Sequence, residues 1–438
     1  MSAAVVLAFP AVATAGWTLQ SNGTGQNQGF FRISAWDADH AMGVGVRDTG
    51  GGNSEAVVAV TSDGGASWTQ VRPMAGPPGP FAIEMYLAVE MTSARRAYVG
   101  ALGRLYVTSD GGATWTHYAE TGWGPMRGPL VTGVSFADES TGFFVGSAGL
   151  VRKTTDGGAT WTPIDAPVPD VDHGGVLALG AGRAWLWAGS AVEDPGTGEV
   201  SGYEDGMLAR STDGGATWTT IFRGEARSVM RVFMLNATEG WMLSASMAGP
   251  RLERTTNGGA AWSEMAIPEG TGGAPDAVLD VFFFDRCEGF LLAERNEQTR
   301  LFYTTDRGAA WNQVDLSGLR IPLPFPFPVY PRLIALDFPS RDVGWAGGMY
   351  ESLARYEADG PGPNCGGGGG GNGAGSDGGG CGCRAAGRSS PIGAGWALAA
   401  AAALAATASG RRSPCSGSPS GSRGRRRTAT CSTRRGTP

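Results

Sequence analysis

Lysine is almost missing from this chain. Lys153 is the only one among 34 basic residues, so arginine carries nearly all the positive charge. Charge of either sign is scarce, at 17% of 438 residues, while 42% are hydrophobic. That balance excludes a disordered chain. The net charge of −6 is unevenly spread: residues 411–438 hold eight arginines and no acid, leaving −14 on the remainder. An acidic body excludes nucleic-acid binding, which needs a basic face. Of six cysteines, only Cys287 precedes position 365, which excludes a disulfide-built scaffold. Histidine is limited to His40, His117 and His173. They lie far apart in sequence, so no zinc spacing and no Ser-His-Asp set can be read.

What the chain does have is glycine (73 residues) and tryptophan (14). Many tight turns between strands need both. Much of this content falls in six segments that align without gaps, running from Ser62 to Trp68, Ser109 to Trp115, Thr155 to Trp161, Thr212 to Trp218, Thr256 to Trp262 and Thr305 to Trp311. Each has an acidic or amide residue five positions before the tryptophan: Asp63, Asp110, Asp156, Asp213, Asn257 and Asp306. Their spacings are 47, 46, 57, 44 and 49. A strand-rich repeat of 40–50 residues means a propeller or an array.

Residues 131–164 display the unit best. Val131–Phe136, Gly142–Val145, Leu150–Thr154 and Thr160–Ile164 read as four short strands, with the Asp motif as the hairpin between the third and fourth. The carboxylate is expected to accept N–H groups of its own turn, and the glycines to supply positive φ. The tryptophan is expected to bury its ring against the next blade. Asn257 keeps the acceptor, Ala261 and Ala310 lose a hydroxyl, and Arg307 replaces a glycine, so the last two boxes should be weakest. Leu333–Tyr356 repeats the strand pattern and ends in a degenerate Glu357-Ala358-Asp359-Gly360 without tryptophan. Gly16–Gln20 has the character of the missing fourth strand. The expected fold is all-β: a seven-bladed β-propeller of four-stranded antiparallel blades over 16–363, closed by an N-terminal strand. A closed ring has no free edge and is expected to be monomeric.

The six motifs resemble the Asp-box (BNR) repeats of sialidases, xyloglucanases, sortilin-type receptors and the photosystem II assembly factor. A box in nearly every blade looks most like the last of these and its bacterial relatives. The motif specifies fold strongly and function weakly. Phe31-Arg32-Ile33-Ser34 is similar to the Phe-Arg-Ile-Pro motif of sialidases, which implies that Arg32 holds a substrate carboxylate. It departs from that motif at Ser34, and the other sialidase residues cannot be assigned.

Both ends read as export and sorting signals. Residues 3–15 form an apolar run ending in Ala13-Thr14-Ala15, a cleavage pattern. No basic region precedes it, so the leader over 1–15 reads as truncated. The alternative, a first strand, is disfavoured by Pro10 and the small residues. Residues 364–380 are a Gly-rich linker. Cys381-Gly382-Cys383-Arg384, the apolar run Ile392–Ala408 and Arg411-Arg412 follow in order, and 413–438 is a basic tail. Over 381–412 this resembles the MYXO-CTERM sorting segment, which implies processing near Cys381 and Cys383 by a myxosortase-type enzyme. It also implies display on the cell surface, with membrane contact only through this segment.

No catalytic residue can be assigned from the sequence. The candidate ligand face consists of Arg32, the cluster Asp170, Asp172 and His173, and the acidic insertion that widens one spacing. That insertion carries Glu193, Asp194, Glu199, Glu204 and Asp205. A solvated acidic loop is the ordinary reading of the insertion, and calcium is the one cofactor it could take. No other metal is expected. Arg320–Pro331 is a proline-rich apolar loop that either packs over the ring or meets a partner. Export permits a Cys287–Cys365 disulfide. The function expected is non-catalytic binding of a protein or glycan through the loop face. The alternative is a glycoside hydrolase, which needs two flanking carboxylates.

Overall fold

The structure is a computed structural model. It describes residues 16–20, 28–50, 53–73, 85–123, 128–168, 171–180, 182–194, 200–271, 273–319, 330–349 and 352–358. The leader, Asp170, Glu199, most of the proline-rich loop, Asp359, the linker, Cys365, the sorting segment with Cys381 and Cys383, and the basic tail lie outside these residues.

Seven four-stranded antiparallel sheets make the fold. Blades 1 to 6 run consecutively over Gln28–Val71, Ala88–Tyr118, Val131–Pro163, His173–Glu225, Arg227–Met265 and Ala277–Gln313. Blade 7 takes three strands from Arg332–Glu357 and its outer strand from Gly16–Gln20. Trp17 pairs with Tyr356 in register, as the closure expected from the sequence requires. Joining first and last strands in one sheet ties the two ends of the ring together by hydrogen bonds, so opening it costs that ladder.

Antiparallel order puts the turns on two faces. The hairpins between strands one and two, and between three and four, lie on one face, here called lower. The hairpins between strands two and three, and the crossings to the next blade, lie on the upper face. The Asp boxes are therefore all lower.

Each box is a hydrogen-bonded knot. In blade 3, Asp156 Oδ1 accepts the Thr160 N–H at 2.9 Å, and Oδ2 accepts the Thr160 hydroxyl at 2.5 Å. Thr154, two residues before the aspartate, donates its hydroxyl to Asp156 at 2.7 Å and accepts the Gly158 N–H at 2.8 Å. The same bonds recur around Asp63, Asp110 and Asp213. Hydroxyl and N–H donors stabilise the charged form, and these four carboxyls are held down to about 2, with the Ser67, Thr114, Thr160 and Thr217 hydroxyls the largest cause. Asn257 and Asp306 keep the N–H bonds, from Ala261 and Ala310, and the hydroxyl bonds from Thr255 and Thr304, but lose the second hydroxyl where alanine replaces serine or threonine. Arg307 sits at φ +73°, where the other five boxes have glycine.

The box rings pack on the preceding blade, not the following one as the sequence suggested. Trp161 lies edge-on to Tyr98 of blade 2, Trp218 to Phe143 of blade 3, and Trp68 to Trp345 of blade 7. The reason lies in the box backbone, which is tied to that same neighbour. The Gly157 carbonyl accepts from the Tyr98 hydroxyl at 2.7 Å and from Arg96. Lys153 reaches Gly214 O at 2.6 Å, and Arg210 reaches Gly258 O at 2.9 Å. Trp17 stands in for the missing box tryptophan, edge-on to Phe290 of blade 6. Apart from Trp115, which donates to Gly112 O, the box indole nitrogens have no partner among the described residues. These rings contribute apolar area, not a polar bond.

At the axis, the inner strands have no fifth strand to pair with, and their outward N–H groups need other partners. Neighbouring blades supply them. Ser34 accepts from Met91 N at 3.0 Å, Ser135 from Ala178 N at 3.1 Å, Asp280 from Leu336 N at 2.8 Å and Asp337 from Ala35 N at 2.6 Å.

Candidate binding face

Two of the residues picked from the sequence are not on a surface at all. Arg32 lies on the inner strand of blade 1, just after a register shift, and is 1% exposed. It donates to Phe31 O at 2.5 Å. Burial lowers its pKa to about 9, opposed by the Asp280 charge and aided by Arg231. Asp280 and Arg231 form their own buried pair at 3.0 Å, from blades 6 and 5. Arg32 therefore belongs to an interior ionic set spanning three blades, not to an accessible carboxylate-binding site. His173 opens the inner strand of blade 4 and is 0% exposed. Its backbone carbonyl accepts from Thr132 of blade 3 at 2.5 Å. Its ring nitrogens have no partner among the described residues. Burial pulls its pKa down to about 4, with Asp172 opposing. Asp172 is exposed but occupied: it accepts the Ala148 N–H at 2.9 Å and so pins an upper turn of blade 3, in which Ala148 has φ +54°.

The long insertion is ordered as a hairpin. Strands Arg183–Glu193 and Val200–Ser211 of blade 4 pair past the body of the blade, with Ser190 opposite Glu204 and Glu193 opposite Val200. Asp194, Glu204 and Asp205 are exposed on it, while the Glu193 side chain lies outside the described residues. The acidic groups are strung along the hairpin. No three His, Cys, Asp or Glu side chains converge to hold a metal among the described residues.

Apolar exposure falls on the same face. Val200, Met247 and Tyr330 are 38, 63 and 45% exposed. Val200 is at the far end of the insertion hairpin, Met247 is in the upper turn of blade 5, and Tyr330 precedes the inner strand of blade 7. Beneath the hairpin, Arg227 stacks 3.7 Å above the Phe222 ring and pairs with Glu253 at 2.9 Å. The Arg227–Phe222 stack bridges blades 4 and 5, and Glu253, also of blade 5, holds the arginine in place.

A groove among the described residues is large enough for a ligand. It encloses about 340 Å³ at the upper outer rim of blade 6, lined among others by Thr271, Gln298, Thr299, Gln313 and Tyr330. Its floor is the third strand, Gln298–Thr304, which turns tightly at Asn296 and Glu297. The outer strand is only Asn312–Gln313 and pairs with Phe302 and Tyr303. The Leu301 carbonyl takes the Val314 N–H at 2.8 Å. Above that point no described strand covers the edge. The Arg320–Pro331 segment hinted at this place, since Tyr330 and Pro331 form one wall. The floor had no sequence signal.

The sequence matches no protein-family model, and no curated protein is similar to it in sequence. Solved structures are similar in fold. YCF48 bound to D1 peptide has a TM-score of 0.56 and 17% identity, covering 80% of this chain and 99% of that one. YCF48 from Cyanidioschyzon merolae has a TM-score of 0.52 and 18% identity, covering 78% and 99%. The GH74 xyloglucanase from Xanthomonas campestris has a TM-score of 0.52 and 16% identity, and the match covers 77% of this chain but 52% of that enzyme. At such identities the likeness carries the fold and not the chemistry: the chain is a β-propeller similar to the YCF48 structures.

Proposed function

We propose that this protein is a non-catalytic propeller, held at the cell surface by its C-terminal segment, that binds a protein partner through its upper face. The observation that carries this reading is the placement of Val200, Met247 and Tyr330, all on the upper face. Singly exposed apolar side chains are ordinary; what favours this face is that all three share it, while the lower face carries the repeated box chemistry. The YCF48 structure with a bound D1 peptide supports it by fold analogy.

The chain's exit supports the orientation. The third strand of blade 7 runs downward and ends at Glu357 on the lower face. Cys287, in a lower turn of blade 6, is disulfide-bonded, and every other cysteine of the chain lies at or beyond 365. A C-terminal anchor leaving from the lower face turns the upper face outward.

The test is photo-crosslinking on whole cells, with a photoreactive residue at Met247 on the upper face or at Ser62 on the lower. A discrete adduct from Met247 and none from Ser62 is expected. Adducts from both, or from neither, overturn the reading. Incubation with fluorogenic sialosides and plant and bacterial polysaccharides tests the glycosidase alternative, and turnover of any of them would replace this proposal.

A further inference from the structure

The inner strand of blade 4 breaks a rule that its counterparts keep. Inner strands of six blades carry a register shift near their upper end. In five of them the residue just before the shift is Phe30, Val131, Val229, Val278 or Leu333, each buried. In blade 4 it is His173, equally buried, with neither ring nitrogen hydrogen-bonded among the described residues. Its cross-strand partner Ala188 packs in an apolar cluster with Phe143, Val145 and Val151 of blade 3, so the ring stands between blades 3 and 4. Three consecutive residues at this point hold blade 3. Val171 O accepts the Gly149 N–H at 3.0 Å, Asp172 Oδ1 accepts the Ala148 N–H at 2.9 Å, and His173 O accepts the Thr132 hydroxyl at 2.5 Å. Ala148 is held at φ +54°, a costly region for a residue with a Cβ, so the turn is strained while it is held. Gly174 and Gly175 follow at once, and below them the pairs from Gly175–Trp187 to Leu179–Arg183 run without a shift.

We propose that residues 171–173 are a proton-operated latch on the upper face. With His173 neutral, the latch holds the turn at residues 147–149. A proton on the ring expels the side chain, swings 171–173 away on the two glycines and frees that turn. An imidazolium carries a charge and two N–H donors, and burying them without acceptors is costly. Neighbouring charges do not rescue it. Strand His173–Leu179 has no other titratable side chain, and Val131–Phe136 and Gly142–Gly146 of blade 3 have none. Arg183 and Glu193 stand at the two ends of the next strand of blade 4. Arg227 and Arg231 of blade 5 are paired with Glu253 and Asp280. Burial disfavours the charged ring more than Asp172, the one charge acting on it, favours it. The release is local, because it gives up the His173–Ala188 pair and leaves the ladder from Gly175 onward. Glycines can absorb the backbone change. Ala188 lies on the strand that runs on into the insertion hairpin, so mild acid loosens the upper rim at blades 3 and 4 before the ring unfolds.

The test is amide hydrogen exchange on the full chain at pH 7 and pH 5, read residue by residue and corrected for the intrinsic pH dependence of exchange. Protection of the Ala148 and Gly149 N–H groups should fall about tenfold or more between the two. The lower-turn amides of the same blade, Ala137 and Gly157, which bond Thr141 O and Ser140 O, should keep theirs. His173→Leu restores the apolar residue of the other blades and should make Ala148 protection level with pH to within twofold. His173→Gln, which never charges, should do the same if leucine disturbs the packing. Asp172→Asn keeps an acceptor for Ala148 but removes the charge that favours the imidazolium, so the fall should move to lower pH. Asp170→Asn, outside the described residues, should leave the profile unchanged. Level protection in the wild type overturns the latch, as does a full fall in both His173 variants. Loss of the pH dependence in Asp172→Asn or Asp170→Asn would make a carboxylate the trigger and overturn it too. An equal fall at Ala137 and Gly157 would mean general loosening, not a latch. No partner enters the measurement, so the latch stands or falls apart from the protein-binding reading.

Discussion

The two faces of the ring are built on different rules. The lower face repeats one solution six times, with a hydroxyl, a carboxylate or amide, two turn residues at positive φ and a tryptophan lodged on the preceding blade. The upper face is irregular from blade to blade: a long hairpin on blade 4, a stacked arginine on blade 5 and a groove at the rim of blade 6. Repetition is what a ring needs for closure, because every interface must be held alike. Difference is what recognition needs. The comparison implies that damage to the lower face costs stability, whereas damage to the upper rim costs binding.

The largest break should come at a box ring. Trp161 is 7% exposed and contacts Tyr98, Phe136 and Phe144. Trp161→Ala should cost about 3–5 kcal/mol in urea unfolding. Trp161→Phe should cost much less, since the indole N–H has no partner to lose among the described residues. If Trp161→Ala cost no more than Tyr330→Ala, the division of labour between faces would be wrong.

Acid should attack the two regions in different windows. His173, at the upper end of blade 4, is buried neutral with its pKa lowered to about 4 from 6.5. The unfolded chain then binds the proton more readily than the folded one. Stability is therefore complete above about pH 6.5 and is lost as the pH falls toward 4, by about 3 kcal/mol in all. The box aspartates, held down to about 2, act lower. Their contribution is present above pH 3.8 and disappears as the pH falls toward 2. A stability profile of wild type against His173→Leu should separate the windows, with the variant much shallower between pH 6.5 and 4, where His117 and Glu120, both lowered, leave a residual slope. A variant that kept the full slope there would remove His173 as its origin.

The box hydroxyl gives a smaller effect. Thr154 is 1% exposed and satisfies both Asp156 and the Gly158 N–H. Thr154→Val should cost about 1–3 kcal/mol, because the Gly158 N–H is then left without an acceptor. An unchanged urea midpoint would mean that water replaces the hydroxyl and that the knot is looser than drawn.

Blade count, closure and box position were legible in the sequence because they rest on period and local turn chemistry. The hydroxyl two residues before each aspartate was equally visible, as Thr61, Thr108, Thr154, Ser211, Thr255 and Thr304. It looked like strand composition until its two bonds were seen. Arg32 and His173 misled because their burial is not local. A register shift in the inner strand precedes Arg32, and another lies between His173 and Gly175. Both side chains sit where other blades converge, and no window of sequence reports that. The blade 6 groove was hidden for the same reason: its walls come from near Thr271, Gln298 and Tyr330, brought together only by the fold.

The smallest effect would sharpen the comparison by repairing the lower face instead of breaking it. Arg307 holds φ +73° in a position that is glycine in the other five boxes. An L-residue in that region is strained by about 1 kcal/mol or more. Its N–H still bonds Cys287 O at 3.0 Å, so the turn keeps its shape and the strain is carried by the backbone. Arg307→Gly relieves that strain but also gives the unfolded chain more freedom, which offsets part of the gain. A net stabilisation of about 0.5–1 kcal/mol is expected, with partner crosslinking from Met247 on the upper face unchanged. Box 6 lies on the same blade as the groove beside Tyr330. A gain in stability accompanied by weaker crosslinking would mean that the two faces are coupled through blade 6.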